Sequence, residues 1–228
     1  LSINGNEADD TIIYGTQSNV TGWSDVIQDM SFNLYRNNTP VDSGSPAYNN
    51  VTLAAGTYIY IYNTSGGENY TAGSINRTLT VNKAATVLTL TPSPAWTNRN
   101  GTETNVTCTA NNPEVNITLW RNDTLVGSGI GAAVSDITTL DIGAYNYTCN
   151  TTGSQNYTDD ETSNTLNIVS KILSTCTITF NPTDNVTYNG TVTVICTCTN
   201  PEVSAALYRN DTNVTGENNT PVVLAAGL

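Results

Sequence analysis

The sequence contains three copies of one short motif at nearly constant spacing. The motif has five positions: an aromatic residue, Arg, Asn, a fourth residue that is Asn or Asp, and Thr. It occurs at Tyr35–Thr39, Trp120–Thr124 and Tyr208–Thr212, which begin 85 and 88 residues apart. Two of the copies follow the same four residues, Asn112–Val115 and Asn200–Val203. A chain of 228 residues that repeats itself in this way consists of three similar units.

Two further landmarks keep this period. They are Leu53–Gly56, Leu140–Gly143 and Leu224–Gly227, and the pair Glu68–Thr71 and Gln155–Thr158. A period of 84–88 residues is too long for solenoid repeats of about 20–50 residues and is close to the roughly 100 residues of a β-sandwich. We therefore predict three domains at residues 1–83, 84–170 and 171–228, with almost no linker between them and stiff end-to-end stacking.

Composition and the pattern of apolar residues predict strands throughout the chain. There are 40 Thr and 32 Asn; Thr favours strands, whereas Asn favours turns. Apolar and polar residues alternate in segments such as Thr57–Tyr62, Val87–Thr91 and Thr191–Cys196, which Asn, Gly and Pro bound. Such alternation is typical of short antiparallel strands with one buried face. We therefore predict an all-β fold.

The charge balance and the absence of histidine exclude several classes of function. The 7 Lys and Arg residues stand against 19 Asp and Glu, a formal net charge of −12, and there is no His. Phosphate backbones and anionic lipids repel such a chain, so we expect no nucleic acid partner. Without His, the Ser-His-Asp and Cys-His nucleophiles and the His-containing metal sites are ruled out. We predict that the chain is not an enzyme and has no catalytic residue, cofactor or metal.

Acidic clusters and apolar segments do not change this expectation. Asp9–Asp10 and Asp159–Glu161 lack the spaced Asp-x-Asn ligands of a calcium loop, so we predict that they are solvated loop ends. The longest apolar segment, Val222–Leu228, is far shorter than the ~20 residues of a transmembrane helix. We therefore expect no membrane insertion of this segment.

Several motifs of the first repeat follow one another in a familiar order. Leu34–Thr39, Leu53–Tyr58, Gly66–Ala72 and Leu79–Ala84 together resemble the immunoglobulin-like repeat domains of bacterial and archaeal cell-surface proteins. The resemblance extends over nearly all three repeats. It implies tandem immunoglobulin-like β-sandwiches, a fold that serves stalks, adhesins, sheaths and modules of surface enzymes.

In the middle repeat, the resemblance implies a disulfide. Cys108 and Cys149, 41 residues apart, would lie on strands B and F and join the two sheets, with Trp120 about a strand away. The segment before Cys149 has two more residues than the family pattern. The role of the corner tyrosine before strand F therefore falls on either Tyr147 or Tyr145.

The other two repeats differ at these positions. In the first, Tyr62 and, to within one residue, Trp23 align with the bridging cysteines, and we expect the two aromatic rings to fill the volume of the disulfide. In the third, Cys176 and Cys198 occur together and are missing together elsewhere, so we predict that they pair and leave Cys196 for a partner that is not in this chain. The alternatives are a bridge between Cys176 and Cys196 and, least favoured, metal ligation by Cys196-x-Cys198.

The third repeat is incomplete within this chain, because Leu228 falls at the corner before strand F. A sandwich without strands F and G exposes its core and unpaired strand edges. We expect the natural protein to continue beyond Leu228 with a partner for Cys196. The alternative is that another chain donates the missing strands.

Acceptor sequences for N-glycosylation, Asn-x-Ser/Thr, are abundant. There are 18, more than twice the number expected by chance from the Asn, Ser and Thr content. They start at Asn19, Asn37, Asn50, Asn63, Asn69, Asn76, Asn100, Asn105, Asn116, Asn122, Asn146, Asn150, Asn156, Asn185, Asn189, Asn210, Asn213 and Asn218. The other interpretation is polar alternation on strand faces, but Asn is a poor strand residue. We predict heavy N-glycosylation, which together with disulfides implies an extracellular, cell-surface location.

These features favour a structural function. We predict a subunit of an N-glycosylated extracellular filament, sheath or stalk that self-associates, with archaeal origin favoured by the density of acceptor sites. The first alternative is the spacer or binding region of an adhesin, which long, divergent aromatic loops in one repeat would favour. The second, less favoured, is an accessory module of a surface enzyme.

Overall fold

The computed structural model describes residues 1–183, 185–200 and 204–223. The chain divides into two compact units, Leu1–Val169 and Ser170–Leu228. The first unit contains two sandwiches, each with its own pair of sheets and its own core.

The first sandwich has eight strands in two sheets. They are β1 (Ser2–Ile3), β2 (Asp10–Ile13), β3 (Gln17–Gly22), β4 (Phe32–Arg36), β5 (Thr39–Ser43), β6 (Ala47–Thr52), β7 (Gly56–Thr64) and β8 (Gly73–Asn82). One sheet has the order β1-β3-β6 and the other β2-β8-β7-β4-β5. Neighbouring strands are antiparallel except β2 and β8, which are parallel.

The second sandwich repeats this topology strand for strand. Its strands are β9 (Leu88–Ser93), β10 (Thr97–Arg99), β11 (Glu103–Ala110), β12 (Asn116–Arg121), β13 (Thr124–Ile130), β14 (Val134–Thr139), β15 (Gly143–Thr151) and β16 (Asp160–Val169). The sheets are β9-β11-β14 and β10-β16-β15-β12-β13, again with one parallel pair, β10 and β16. Three strands facing five with this order are the A-B-E and A′-G-F-C-C′ sheets of an immunoglobulin-like β-sandwich, so the predicted fold class is confirmed.

Alternation along each strand builds the core of each sandwich. On β15, Tyr147 and Cys149 are fully buried, while Asn146 is exposed. On β7, Tyr60 and Tyr62 are buried in the same way. Side chains two residues apart share one face of a strand, so a repeating Tyr-x-Tyr or Tyr-x-Cys pattern supplies one sheet's half of the core.

The motif that recurs three times in the sequence encodes a tight hairpin turn. Its two central residues have positive φ in every copy, between 45° and 65°. They are Asn37 and Asn38, Asn122 and Asp123, and Asn210 and Asp211. Two consecutive residues of positive φ form a type I′ turn, which suits the right-handed twist of paired strands and favours Asn and Asp. The motif therefore fixes the register of β4 with β5, of β12 with β13, and of the third hairpin.

The second unit contains the counterparts of five strands in its described residues. They are β17 (Cys176–Asn181), β18 (Thr191–Cys198), β19 (Tyr208–Arg209), β20 (Thr212–Asn213) and β21 (Pro221–Val223), with a 3₁₀ turn at Thr215–Glu217. The sheet β17-β18-β21 matches A-B-E, and the hairpin β19-β20 matches C-C′. Between them lies a groove of about 560 Å³ lined by apolar side chains that include Phe180, Val192 and Leu207. The predictions for Pro201–Val203 and Leu224–Leu228 lie outside the described residues.

Candidate functional site

The second sandwich is tied across its two sheets by the predicted disulfide. Cys108 on β11 bonds to Cys149 on β15, with 6.2 Å between the Cα atoms, and both side chains are fully buried. Leu119, directly opposite Cys149 on β12, is fully buried beside the bridge. Trp120 is only half-buried, and its Nε1 donates to Thr118 Oγ1 at 3.1 Å. Leu119 therefore takes the core position next to the disulfide.

In the first sandwich the prediction for Trp23 is wrong. Gly22, not Trp23, is the counterpart of Cys108, because Gly22 pairs with Ala47 at the start of β6 as Cys108 pairs with the first residue of β14. The Tyr62 ring occupies the space that a side chain at Gly22 would need, and it stacks on Phe32 with ring centroids 5.3 Å apart. Trp23 is 38% exposed. Two aromatic rings do replace the disulfide, but they are Tyr62 and Phe32.

The third repeat contains the second predicted disulfide. Cys176 and Cys198 stand opposite each other on β17 and β18, with 4.0 Å between their Cα atoms, and they are bonded. Cys196 is a free, half-buried thiol opposite Ile178. The alternative bridge between Cys176 and Cys196 is therefore wrong.

The corner tyrosine is Tyr145. Its hydroxyl donates to the carbonyl oxygen of Asp141 at 3.0 Å, four residues upstream. In the first sandwich Tyr58 donates to the carbonyl oxygen of Ala54 at 2.8 Å in the same way. Each of these bonds ties the start of the F strand to the loop before it. Tyr147, the other candidate, has a different partner.

Tyr147 belongs to a polar cluster that joins the two sheets of the second sandwich. Its hydroxyl donates to Asp136 Oδ2 at 2.7 Å, and the same carboxylate forms an ion pair with Arg121. Asp136 lies on β14, whereas Arg121 and Tyr147 lie on the facing sheet. Burial, together with the hydrogen bond to Asp136, raises the pKa of Tyr147 to about 12. Tyr147 therefore stays neutral at pH values below this raised pKa, beside the charged pair of Asp136 and Arg121.

The first sandwich has a neutral version of this cluster. Tyr60 donates from its hydroxyl to Asn49 Oδ1 at 2.9 Å, and Arg36 Nη1 donates to the same oxygen at 3.0 Å. The three residues occupy the corresponding strands β7, β6 and β4. Burial raises the pKa of Tyr60 as well. Asn49 thus replaces Asp136 with the same hydrogen-bond geometry and without its charge.

A joint without a free linker connects the two sandwiches. The segment after β8 runs along the loop between β15 and β16: Ala84 N donates to Asn156 O, and Thr158 N donates to Ala84 O, both at 2.9 Å. Lys83 Nζ donates to the carbonyl oxygen of Ser154 at 2.6 Å. The connecting residues are therefore hydrogen-bonded into the second sandwich.

Side chains of the second sandwich hold the end of the first. Gln155 Nε2 donates to the carbonyl oxygen of Ala55 at 2.8 Å, and Asn156 Oδ1 accepts from the Ala55 amide at 3.0 Å. Both bonds reach the loop just before β7. Together they satisfy the donor and the acceptor of one backbone unit, as a neighbouring strand would.

Glu114 is the centre of the joint. One carboxylate oxygen accepts from Tyr14 at 2.9 Å, and the other accepts from Asn156 Nδ2 at 2.9 Å. The Tyr14 ring also contacts Tyr157 edge to face, with centroids 5.5 Å apart. The hydrogen bond to Glu114 raises the pKa of Tyr14. Glu114 and Asn156 lie within the repeated motifs Asn112–Val115 and Gln155–Thr158, but the motifs alone do not indicate these contacts.

The 18 predicted acceptor asparagines all lie where solvent reaches them. Thirteen are exposed, and five are half-buried. The half-buried ones are Asn63, Asn100, Asn105, Asn150 and Asn156. Three of the exposed ones, Asn37, Asn122 and Asn210, hold the first central position of the type I′ turns, which gives them a conformational reason to be Asn. Turn geometry therefore explains part of the excess.

Carboxylates of the acidic clusters accept backbone hydrogen bonds. Asp9 Oδ1 accepts from Thr78 N, and Asp160 Oδ2 accepts from Leu88 N, both at 2.8 Å. Within the described residues, no three His, Cys, Asp or Glu side chains are placed to hold a metal ion. Over the same part of the chain, no helix has the length and apolarity needed to cross a membrane.

Comparison with known proteins gives likenesses of fold. No protein-family model matches the chain, and no curated protein matches it. Titin domains z1z2, solved in complex with telethonin, match at 14% identity and a TM-score of 0.44, covering 75% of this chain and 97% of that one. Immunoglobulin domains 1–5 of Sidekick-1 match at 16% identity and a TM-score of 0.39, covering 73% of this chain and 39% of that one. Fibronectin(III)-like modules of Clostridium thermocellum CbhA match at 13% identity and a TM-score of 0.33, covering 74% of this chain and 94% of that one. The immunoglobulin-like class itself rests on the strand order described above.

Proposed function

We propose that this chain is a structural subunit of an extracellular, N-glycosylated filament, sheath or stalk of an archaeal cell surface. The observation that carries the proposal is the joint between the first two sandwiches. Its bonds from Gln155, Asn156 and Glu114 reach both a backbone unit and a side chain of the first sandwich. A connection of this kind transmits force from one sandwich to the next without bending at a linker.

Covalent ties within the sandwiches support the same function. Cys108–Cys149 joins two sheets, and Cys176–Cys198 joins two neighbouring strands. Disulfides persist in oxidising compartments, so they support an extracellular location. A load-bearing element gains from them because they limit how far the chain extends when a sandwich opens.

The acceptor asparagines support a glycan coat. Their side chains are all at least partly accessible, and only 11% of the residues are charged. Attached glycans would supply hydration to a surface with few charges and would cover strand edges that could otherwise pair with neighbouring chains.

Electron microscopy of native cell-surface material, combined with non-reducing peptide mass spectrometry, tests this function. We expect thin filaments with axial beads roughly 35–45 Å apart, the length of one sandwich of about a dozen strand residues. The mass spectra should contain both disulfides and glycans on most of the acceptor asparagines. Isolated monomers with unmodified asparagines would contradict the proposal.

A second candidate function, an adhesin, is favoured by the loop between β3 and β4 of the first sandwich. This loop exposes Trp23, Val26 and Ile27. Trp23 also lines a cavity of about 290 Å³ together with Met30 and Ile75. The loop is longer than its counterpart between β11 and β12. Specific binding of a surface glycan or protein, lost in Trp23→Ala, would favour the adhesin over the filament.

A further inference from the structure

Two acceptor sites for N-glycans occupy equivalent positions in the first two sandwiches. Both have the sequence Asn-Tyr-Thr, at Asn69 between β7 and β8 and at Asn156 between β15 and β16. Asn69 is exposed, whereas Asn156 is half-buried in the joint. The pair therefore compares one acceptor sequence in two structural environments.

Both polar atoms of the Asn156 side chain are engaged. Oδ1 accepts from the Ala55 amide at 3.0 Å, and Nδ2 donates to Glu114 Oε2 at 2.9 Å. An N-glycan is attached through Nδ2, where it replaces one of the two amide hydrogens. The sugar would begin at an atom that lies 2.9 Å from Glu114 Oε2, on a half-buried side chain whose Oδ1 contacts the first sandwich, so the closed joint leaves little room for it.

We propose that a glycan on Asn156 and the closed joint are mutually exclusive, so that Asn69 is glycosylated and Asn156 is not. The inference rests on the proposed function in one respect only: both require that the chain receives N-glycans. A glycan placed on Asn156 before the joint closes would separate Glu114 from its partners Tyr14 and Asn156. Glycosylation at this one position would thus convert a stiff pair of sandwiches into a hinged pair.

Site-specific occupancy tests the proposal. The full chain is secreted from a host that transfers N-glycans to Asn-x-Thr, and glycopeptide mass spectrometry measures occupancy at Asn69 and Asn156. We expect occupancy at Asn156 about tenfold below that at Asn69, because two side-chain hydrogen bonds hold Asn156 in the closed joint. Equal occupancy at the two positions would overturn the proposal, and so would an unmodified Asn69.

Variants of the joint separate its effect from local sequence. Glu114→Ala removes the acceptor of Nδ2, and Tyr14→Ala combined with Glu114→Ala removes the centre of the joint. We expect occupancy at Asn156 to rise in both variants, most in the double one, while occupancy at Asn69 stays constant. Glu103→Ala, an exposed carboxylate on β11, is the matched control and should change neither. An unchanged Asn156 in the double variant would overturn the proposal.

Failure of the inference and failure of the proposed function give different results. Native material without any glycan would contradict the glycan coat, while the comparison in the secreting host would still decide between Asn69 and Asn156. Small-angle scattering of secreted chains that carry a glycan on Asn156 supplies a second readout. We expect a broader distribution of distances within the particle for these chains than for chains modified at Asn69 alone, and identical distributions would contradict the hinge.

Discussion

The two sandwiches of the first unit have the same strand order and solve the same packing problem in two ways. At the point where β3 and β7 face each other, the first uses Gly22 against the ring of Tyr62, which stacks on Phe32. At the equivalent point the second uses Cys108–Cys149. Both sandwiches fill the core at this position, so what the fold requires there is occupied volume and not a covalent bond. The covalent bond adds a restriction of the unfolded chain, which aromatic packing does not provide.

The polar cluster between the sheets also differs between the two sandwiches, because it is neutral in the first and charged in the second. Asn49 and Asp136 hold an arginine and a tyrosine with the same geometry, but only Asp136 brings a charge. The first sandwich is therefore closed by neutral and aromatic contacts, and the second by a disulfide and an ion pair. Three substitutions or pairs of substitutions turn this difference into measurable quantities.

Removing the disulfide should have the largest effect. We expect Cys108→Ala with Cys149→Ala to lower the free energy of unfolding of the second sandwich by about 4 kcal/mol, the loop-closure value for a bridge of this span. The first sandwich has no such bond and should keep its stability. Hydrogen exchange followed by mass spectrometry resolves the two, through peptides from β15 and β7. Equal loss of protection in β7 would mean that the sandwiches unfold as one unit.

Much of this architecture is predictable from the sequence, because most of the determining signals are local. Period-two alternation indicates the strands, and the repeated Asn-Asn or Asn-Asp dipeptide indicates the type I′ turns. The pairing of Cys176 with Cys198 follows from their joint occurrence in one repeat. The strand and turn signals lie within a few residues of the features that they determine, whereas the cysteine signal lies in the comparison of the three repeats.

The failures concern contacts between distant segments. Trp23 and Gly22 are adjacent, and a shift of one residue along a strand moves a side chain from the core to the outside. Only the pairing of Gly22 with Ala47 settles the register. The joint was missed for a related reason: Glu114, Asn156 and Tyr14 are far apart in sequence, and their polar side chains resemble ordinary loop residues until the fold brings them together.

Adding one methyl group to the first sandwich should have an intermediate effect. A Cβ at Gly22 would lie 2.7 Å from Tyr62 Cε2, too close for any real contact. We expect Gly22→Ala to cost the first sandwich about 1–3 kcal/mol, the usual range for an overpacked core. Urea unfolding followed by peptide-resolved hydrogen exchange measures it. Gly73→Ala is the control, because its Cβ would meet only Thr64 Cγ2 at 3.9 Å. A loss no larger than that of Gly73→Ala would refute the role of Tyr62 as the filler.

Converting the charged cluster into the neutral one should have the smallest effect at neutral pH. Asn49 makes the equivalent bonds in the first sandwich, so Asp136→Asn should preserve the geometry around Tyr147. The difference should appear in alkaline solution. In the wild type the pKa of Tyr147 is raised from 10.0 to about 12, so the unfolded chain releases this proton first. The associated stability is complete below pH 10 and is lost as the pH rises towards 12.

In Asp136→Asn the carboxylate charge that opposes the tyrosinate is gone while Arg121 still favours it, so the pKa of Tyr147 is raised less than in the wild type, although burial continues to raise it. We therefore expect the second sandwich of Asp136→Asn to lose less stability above pH 10, over a narrower range. Urea midpoints between pH 8 and pH 11.5, compared between wild type and variant, cancel the titration of every other tyrosine. Parallel pH profiles for the two proteins would mean that Asp136 does not control the ionisation of Tyr147. The ion pair of Asp136 with Arg121 would then contribute to the packing of the second sandwich and not to the pH dependence of its stability.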